Sequence, residues 1–396
     1  MNSIDDNHKP KTIPLPYKYY FIPTLILTIL GIINSIYLAI SHYKNYTDLT
    51  YSSFCAISRA INCDTVAQSP WSIFAGLPIA YWGIFGYALF LFVLLKVPKF
   101  KAHLISIWAF LLLLSLIFAI SSIYLGYISF SRIHSYCILC ILSYFCSFAL
   151  FIYCWITYSR FHKNSLFLDL ILSFKIISEK KINLLSITIM LLLFTNIWIF
   201  IPRYWEYESF DIENSIDLQK GITREGNPWI GSEKAKTTIH VYSDYMCFQC
   251  SKMHYILRSM ISNDPNKFKL IIHHYPLDHS YNPIIVSDPY HVGSGKMAQL
   301  AVYAMTKGKF WEMNDALFEI GRGKVSFNTE WIAEKTGFSS GELVWALKQP
   351  YFRKIIDSDI RRGMKLRITS TPSFVINGNV YSGSIPKEIL ISAGAE

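Results

Sequence analysis

The sequence predicts a multidomain protein: an all-α transmembrane four-helix bundle plus a fifth, linking span, followed by an α/β domain with a helical insertion. Three observations lead there. Five stretches near the length that crosses a bilayer as a helix hold no Asp, Glu, Lys or Arg. From about residue 209 the charges become evenly distributed. Beyond that point an alternating apolar run gives way to a helical apolar period and then to alternation again. With 396 residues, 52% of them hydrophobic, and a mean hydropathy of +0.29, the chain is too apolar for one soluble domain and long enough for two units.

The spans are residues 21–40, 77–95, 104–130, 136–158 and 184–201. Lys and Arg in short loops stay in the cytoplasm. Lys9, Lys11 and Lys18 precede the first span; Lys96, Lys99 and Lys101 follow the second; Arg160, Lys163, Lys175, Lys180 and Lys181 follow the fourth. The opposite loops offer only Lys44, Arg59 and Arg132. The expected layout is a cytoplasmic tail (1–20), a membrane domain (21–160), a cytoplasmic linker with the fifth span (161–205) and an extracytoplasmic domain (206–396), in a multi-pass protein of the inner (plasma) membrane. The acidic start and the missing small-residue cleavage pattern make the first span a retained anchor rather than a removed signal peptide. Residues 165–178 are apolar but short and carry Asp169 and Lys175, each costing about 2.5–3.5 kcal/mol at a helix centre, so an interfacial helix is expected. The net charge of +10 reads as a topology signal and an affinity for anionic headgroups, with no call for nucleic acid.

Six of the eight cysteines fall into three pairs that this topology puts on the outer side: Cys55 with Cys63, Cys137 with Cys140, and Cys247 with Cys250. A dithiol passes on two electrons by thiolate attack on a neighbouring disulfide, so three pairs in one oxidising compartment can form a relay. Cys146 and Cys154, about 12 Å apart along one helix, are beyond disulfide reach and read as core filler. Cys55-x7-Cys63 can bridge on a flexible loop and reopen. Cys137-Ile138-Leu139-Cys140 begins the fourth span, where unpaired N–H groups and the helix dipole favour a thiolate. No His or Cys cluster lies beside it in the sequence, so no metal is expected. Electrons arriving at the rim of an apolar bundle need a lipid-soluble acceptor, and a membrane quinone fits. Trp82, Phe85, Tyr124, Tyr127 and Tyr144 can wall its pocket or serve as interfacial anchors.

Cys55-x7-Cys63, Ser69, the Trp71–Gly76 stretch WSIFAG, and Cys137-Ile138-Leu139-Cys140 with Tyr144 four residues on together resemble the vitamin K epoxide reductase family over about residues 21–158. The resemblance implies a four-helix bundle around a quinone. Cys140 would face the quinone, Cys137 would exchange with Cys63, Cys55 would meet the external thiol partner, and Ser69 and Tyr144 would be quinone-side groups. Residues 77–87 offer no amide side chain to a quinone carbonyl. The match is therefore closer to bacterial members that reduce a respiratory quinone, ubiquinone or menaquinone, than to epoxide reducers.

In the C-terminal region, residues 237–243 read as a buried strand leading to Cys247-Phe248-Gln249-Cys250 and a helix through Met253, Ile256, Leu257 and Met260. Residues 268–274 form a second strand, residues 295–364 a helical stretch, and 370–376 a strand with an Asn377-Gly378 hairpin turn into Val380-Tyr381. Cys-x-x-Cys between strand and helix, with a distant Thr371-Pro372 ahead of a strand, is a thioredoxin-like redox signature. Cys247 caps the helix and attacks, Cys250 resolves, and a cis Pro372 would free Thr371 to bond an extended substrate. The helical insertion resembles the DsbA type over residues 233–393. Phe248-Gln249 replaces the Pro-His of strong oxidants, which leaves the redox poise open. His273, His274, His279 and His291 cluster in sequence, with His273 and His274 expected on opposite strand faces.

The expected activity is a quinone-dependent protein-dithiol oxidoreductase. Cys247–Cys250 oxidises cysteine pairs of exported proteins, and the electrons pass through Cys55–Cys63 and Cys137–Cys140 to the quinone in the bilayer. The rivals are reverse flow, as a quinol-dependent reductase or isomerase; a redox-gated sensor or transporter, disfavoured because the spans lack charges; and a metallochaperone.

Overall fold

The computed structural model describes residues 15–48, 51, 53–57, 60–96, 106–161, 165–179, 181–206, 218–287, 290–321, 327–386 and 388. Outside these residues lie Lys9, Lys11, Lys99, Lys101, Lys163, Lys180 and Arg59 of the charge pattern, the acidic residues 1–6, the first residues of the third span, the composition change near residue 209 and the end of the DsbA-type resemblance at residue 393.

The first part of the chain folds as α1 (Lys18–Thr47), α2 (Cys63–Gln68), short strands β1 (Ile73–Phe74) and β2 (Leu77–Pro78), then α3 (Ile79–Leu94), α4 (Ser106–Ile128), α5 (Ile138–Phe161), α6 (Leu166–Glu179) and α7 (Lys181–Phe200). Among the described residues four helices are long and apolar enough to cross a membrane: α1, α4 with the π turn Ser129–Ile133 that extends it, α5 and α7. The remaining expected span, 77–95, forms the 16-residue α3, about 24 Å long against a hydrocarbon core of about 30 Å. Its start is delayed because Ala75 and Gly76 turn at φ 49° and 74° and Pro78 stays extended as the N-cap.

The chain clusters into two compact units: Met1–Ala39, Ala75–Ile128 and Leu139–Ile201 in one; Ile40–Phe74, Ser129–Ile138 and Pro202–Glu396 in the other. In the helical unit, Phe90, Leu94, Ile107, Leu111, Leu150 and Cys154 make the core, and Cys146 is equally buried. Helices approach at glycines: a Cβ on Gly31 would stand 2.6 Å from the Tyr87 ring, so only hydrogen fits there. Thr24, Thr28 and Thr157 donate to the carbonyl one turn back within their own helices. The expected interfacial helix, α6, turns its acidic side inward. Asp169 is buried and accepts from Ser106 Oγ at 2.7 Å and Tyr158 OH at 3.1 Å. Phe167, Leu168, Ile171 and Phe174 lie on the exposed side of α6.

The second unit is built on β3 (Lys220–Ile222), β4 (Pro228–Gly231), β5 (Thr237–Ser243), α8 (Phe248–Asn263), β6 (Phe268–His274), α9 (Ser294–Thr306), α10 (Phe310–Gly321), α11 (Thr329–Thr336), α12 (Ser340–Leu347), α13 (Pro350–Lys365), β7 (Ser373–Ile376) and β8 (Asn379–Ser382). The strand order is β3-β4-β6-β5-β7-β8. β5 and β6 run parallel, with Ile239 opposite Leu270, and α8 is their crossover. The other pairs are antiparallel. Asn377 and Gly378, at φ 51° and 80°, make the expected hairpin turn between β7 and β8. The helical stretch resolves into α9 to α13, and α9 is buried along most of its length.

His273 and His274 end β6 and do face opposite ways. His273 stacks on Tyr242 at 4.5 Å and contacts Asp359 at 3.1 Å, whereas His274 faces Tyr245 and Phe310. Asp359 also accepts from Asn227 Nδ2, the His274 N–H and Arg362. His279 is bonded to the Val286 carbonyl, and His291 Nδ1 stands 3.1 Å from Asp244 Oδ2. The side chains of the four histidines thus diverge into different surroundings.

Candidate functional site

The β5 strand ends in Ser243, and Asp244-Tyr245-Met246 turns the chain into α8. Cys247 is the helix N-cap, and its sulfur accepts the Cys250 N–H at 3.2 Å. Across from it, the Thr371–Pro372 peptide is cis, and Cys247 Sγ donates to Thr371 O at 3.4 Å. Gln249 Nε2 donates to Gly383 O at 2.9 Å while the Gly383 N–H donates to Pro372 O at 2.8 Å, tying the cysteine dipeptide to the proline loop. Cys247, Cys250, Thr371 and Pro372 therefore come together as expected from the sequence.

The electrostatics separate the two sulfurs. Burial pushes the Cys247 thiol up, but the hydrogen bond from Cys250, the positive charge of His291 and the Cys250 amide outweigh burial and the Asp244 charge, and its pKa falls below the ordinary value. Burial, then the hydrogen bond and charge of Cys247, push Cys250 far above its ordinary value. This is the asymmetry an attacking and a resolving cysteine need. Asp244 and His291 were not read as site residues from the sequence. Asp244 stands one residue past a strand and three before Cys247, a usable signal; nothing in the local pattern marks His291 as its partner.

In the same unit, Cys55 and Cys63 form a disulfide and both are buried. Cys63 opens α2, whose N-cap Asn62 accepts the N–H groups of Asp64 and Thr65. The Asn62 N–H donates to Tyr136 O at 3.0 Å and the Tyr136 N–H to Ala60 O at 2.8 Å, a parallel bridge between Ile61 and Tyr136. Cys63 follows one side of this bridge and Cys137 the other. A cleft of about 1310 Å³ is lined by Cys247, Phe248, Gln249, His291 and Thr371, and also by Ala56, Asn62, Asp64 and Arg132. Ala56 adjoins Cys55; Asn62 and Asp64 flank Cys63.

Cys137 is buried directly ahead of α5, and half-buried Cys140 lies in its first turn. Asn34 of α1 donates to Leu139 O at 2.8 Å and Ser143 Oγ at 2.7 Å, and Tyr87 OH lies 3.2 Å from Ser147 Oγ. Residues 77–87 indeed hold no amide, but α1 brings one to the turn of Cys140. Tyr144 is half-buried one turn on, beside Gly126. Ser69 belongs to the other unit: its hydroxyl donates to Val66 O at 2.8 Å, and it lines a cavity of about 190 Å³ with Gln68, Trp205 and Lys252.

Residues 22–155 match the vitamin K epoxide reductase family, and residues 223–393 match a thioredoxin family. The second match begins ten residues ahead of the expected residue 233, close after β3. Solved structures similar to this chain include a thioredoxin-like oxidoreductase from Silicibacter pomeroyi DSS-3 (22% identity, 43% of this chain and 91% of that chain, TM-score 0.34). Wolbachia pipientis alpha-DsbA1 is 18% identical over 43% of this chain and 90% of its own, with a TM-score of 0.35. Oxidised BdbD from Bacillus subtilis is 18% identical over 45% of this chain and 97% of its own, with a TM-score of 0.36.

Proposed function

We propose that this chain, whose residues 22–155 match the vitamin K epoxide reductase family and whose residues 223–393 match a thioredoxin family, is a membrane thiol-disulfide oxidoreductase that forms disulfides in exported proteins and delivers the electrons to a quinone. The proposed domain limits are those read from the sequence: 1–20, 21–160, 161–205 and 206–396. The observation that carries the reading is the single cleft shared by Cys247 and the immediate neighbours of Cys55 and Cys63.

The client's two thiols reduce the Cys247–Cys250 disulfide and leave as a disulfide, so two electrons and two protons enter the site. Cys247 then attacks the Cys55–Cys63 bridge, and Cys250 displaces it to re-form Cys247–Cys250. The reduced Cys55–Cys63 pair passes the electrons on by exchange of Cys63 with Cys137, whose preceding residues are already hydrogen-bonded to each other. Thr371, beside the cis Pro372, offers its backbone to an extended client, and Pro372 shapes that edge. Fusing these partners replaces a bimolecular encounter by an effective concentration that reaches the millimolar range.

The residues about Cys140 fit a lipid-borne acceptor. Its sulfur is half-buried while Ile141 and Phe145 beside it are 50% and 61% exposed, an apolar flank reachable from the bilayer. A quinone, when bound, would supply an acceptor for two electrons and two protons; Cys140 would pass electrons to it and Tyr144, one turn on, would be a polar group to hold it. The Ser69 hydroxyl, already donating to Val66, retains only its lone pairs for such a role. The lowered pKa of Cys247 favours oxidation of clients over the reverse flow, because a stable thiolate is the better leaving group from a mixed disulfide.

Purified protein supplied with a reduced peptide and a quinone tests the relay. Wild type reduces the quinone, and Cys140→Ala and Cys247→Ala do not. Full turnover by both variants sinks the proposal, as does cysteine labelling in intact cells that finds Cys247 on the cytoplasmic side.

A further inference from the structure

The dipeptide between Cys247 and Cys250 is Phe248-Gln249 and supplies no cation. A positive partner comes instead from the segment ahead of α9. His291 lines the Cys247 cleft, and its Nδ1 stands 3.1 Å from Asp244 Oδ2. Asp244 is 1% exposed, and its carboxylate also accepts the Met246 N–H at 2.7 Å, the Leu277 N–H at 2.6 Å and the Ser294 hydroxyl at 2.9 Å. One buried carboxylate thus ties together the turn into α8, the exit of β6 and the start of α9, and the imidazole stands beside it. Asp278 holds the segment from its other end by accepting the Gly293 N–H at 2.9 Å, and Tyr290 stacks on the imidazole with ring centroids 4.1 Å apart.

We infer that His291 is the positioning residue of the redox site: protonated and oriented by Asp244, it supplies the positive charge that stabilises the Cys247 thiolate and so drives the pair toward oxidising its client. A buried carboxylate that accepts three hydrogen bonds is held in its ionised form and in turn favours the imidazolium. The imidazolium then neutralises a charge that burial alone opposes. When a client thiol attacks the Cys247–Cys250 disulfide or resolves the mixed disulfide, the electron pair of the broken bond comes to rest on sulfur; if that sulfur is Cys247, His291 stabilises it as the leaving group. No net electron is gained or lost by His291. The groups around Cys247 are Asp244 at the β5 end, Cys250 on α8 and His291 ahead of α9; Lys296 of α9, Asp64 of α2, and Arg132 and His134 after α4 line the same cleft. Of these, His291 is the cation in contact with the buried Asp244.

This inference rests on the redox role proposed for Cys247, but its test needs neither client nor quinone. Reduced full-length protein in detergent is alkylated with iodoacetamide from pH 4 to 10, and modification of Cys247 is read by peptide mass spectrometry. Wild type reacts with a midpoint below that of an ordinary thiol. His291→Gln is expected to move the midpoint up by about one pH unit, which slows alkylation about tenfold at any pH well below both midpoints. His291→Lys, which keeps a cation there, is expected to restore most of the rate. An unchanged midpoint in His291→Gln overturns the inference. A His291→Lys profile that follows His291→Gln overturns it too, since packing and not charge would then be responsible. Failure of the quinone assay with an intact alkylation pattern would count against the relay alone.

Discussion

The two Cys-x-x-Cys pairs have the same spacing and both open a helix, yet their surroundings are chemically opposite. Cys247 and Cys250 follow the buried Asp244, whose carboxylate stands 3.1 Å from the His291 imidazole. The turn of Cys140 is held by neutral groups, the Asn34 amide and the Ser143 hydroxyl. The same division runs through the two units. The α/β domain places a histidine beside each of Asp244, Asp315 and Asp359, and buries the first and last of these carboxylates. In the helical unit Asp169 is bound by the hydroxyls of Ser106 and Tyr158. Spacing sets which sulfurs can reach each other; the groups around them set which sulfur carries charge and which partner it suits.

The sharpest way to break that comparison is at the sulfurs. Protein carrying Cys140→Ala, oxidised beforehand, is expected to oxidise two equivalents of reduced peptide, one each for Cys247–Cys250 and Cys55–Cys63, and then stop, whereas Cys247→Ala is expected to oxidise none. Thiol titration of the peptide distinguishes them, and repeated turnover by Cys140→Ala would show that the helix pair is dispensable. Next in size is Asp359→Ala, which strands His273, Asn227 and Arg362 in the α/β domain. A loss of about 3–5 kcal/mol is expected from denaturant unfolding of the purified protein.

Acid should expose the same network. Burial lowers His274 to about 4, so between its unfolded value near 6.5 and about 4 the unfolded chain binds the extra proton and stability falls as the pH drops. Asp244, Asp315 and Asp359 are raised by burial but pulled below their ordinary value chiefly by His291, His254 and His273 respectively. Their contribution is present above the unfolded carboxylate value and disappears as the pH falls through the folded one. The α/β domain is therefore expected to lose stability steadily from about pH 6.5 downward, read by its unfolding midpoint at successive pH values; a flat profile would refute the network's role. Smaller again is Asp169→Ala in the helical unit, where loss of two hydroxyl bonds in an apolar helix bundle is expected to cost about 1 kcal/mol by steric-trap or detergent unfolding. Smallest is Arg203→Ala: its pair with Glu206 is 3.5 Å long and exposed, and a change under about 0.5 kcal/mol is expected in the same assay.

What was legible in the sequence follows from the reach of each signal. The cysteine spacings, the Thr371-Pro372 partner, β5, β6 and the Asn377-Gly378 turn are local patterns, and each stands where expected. β3 and β4 escaped because strands of three and four residues carry too little alternation to stand out. The short α3 escaped because apolarity alone does not tell an extended Leu77-Pro78 from helix. Asn34 is one amide inside an apolar run, visible as a site residue only once α1 lies against the first turn of α5. Asp244 and His291 meet because β5 and the segment before α9 converge, which no window along the chain contains.

The backbone bridge between Ala60–Asn62 and Tyr136 has one more consequence. Because it uses main-chain N–H and C=O groups, it tolerates exchange of the side chains it joins, but its register fixes how far along each segment the next sulfur falls. A family drifting in sequence can therefore rewrite these loops freely while adding or deleting almost nothing between the bridge and Cys63, or between the bridge and Cys137.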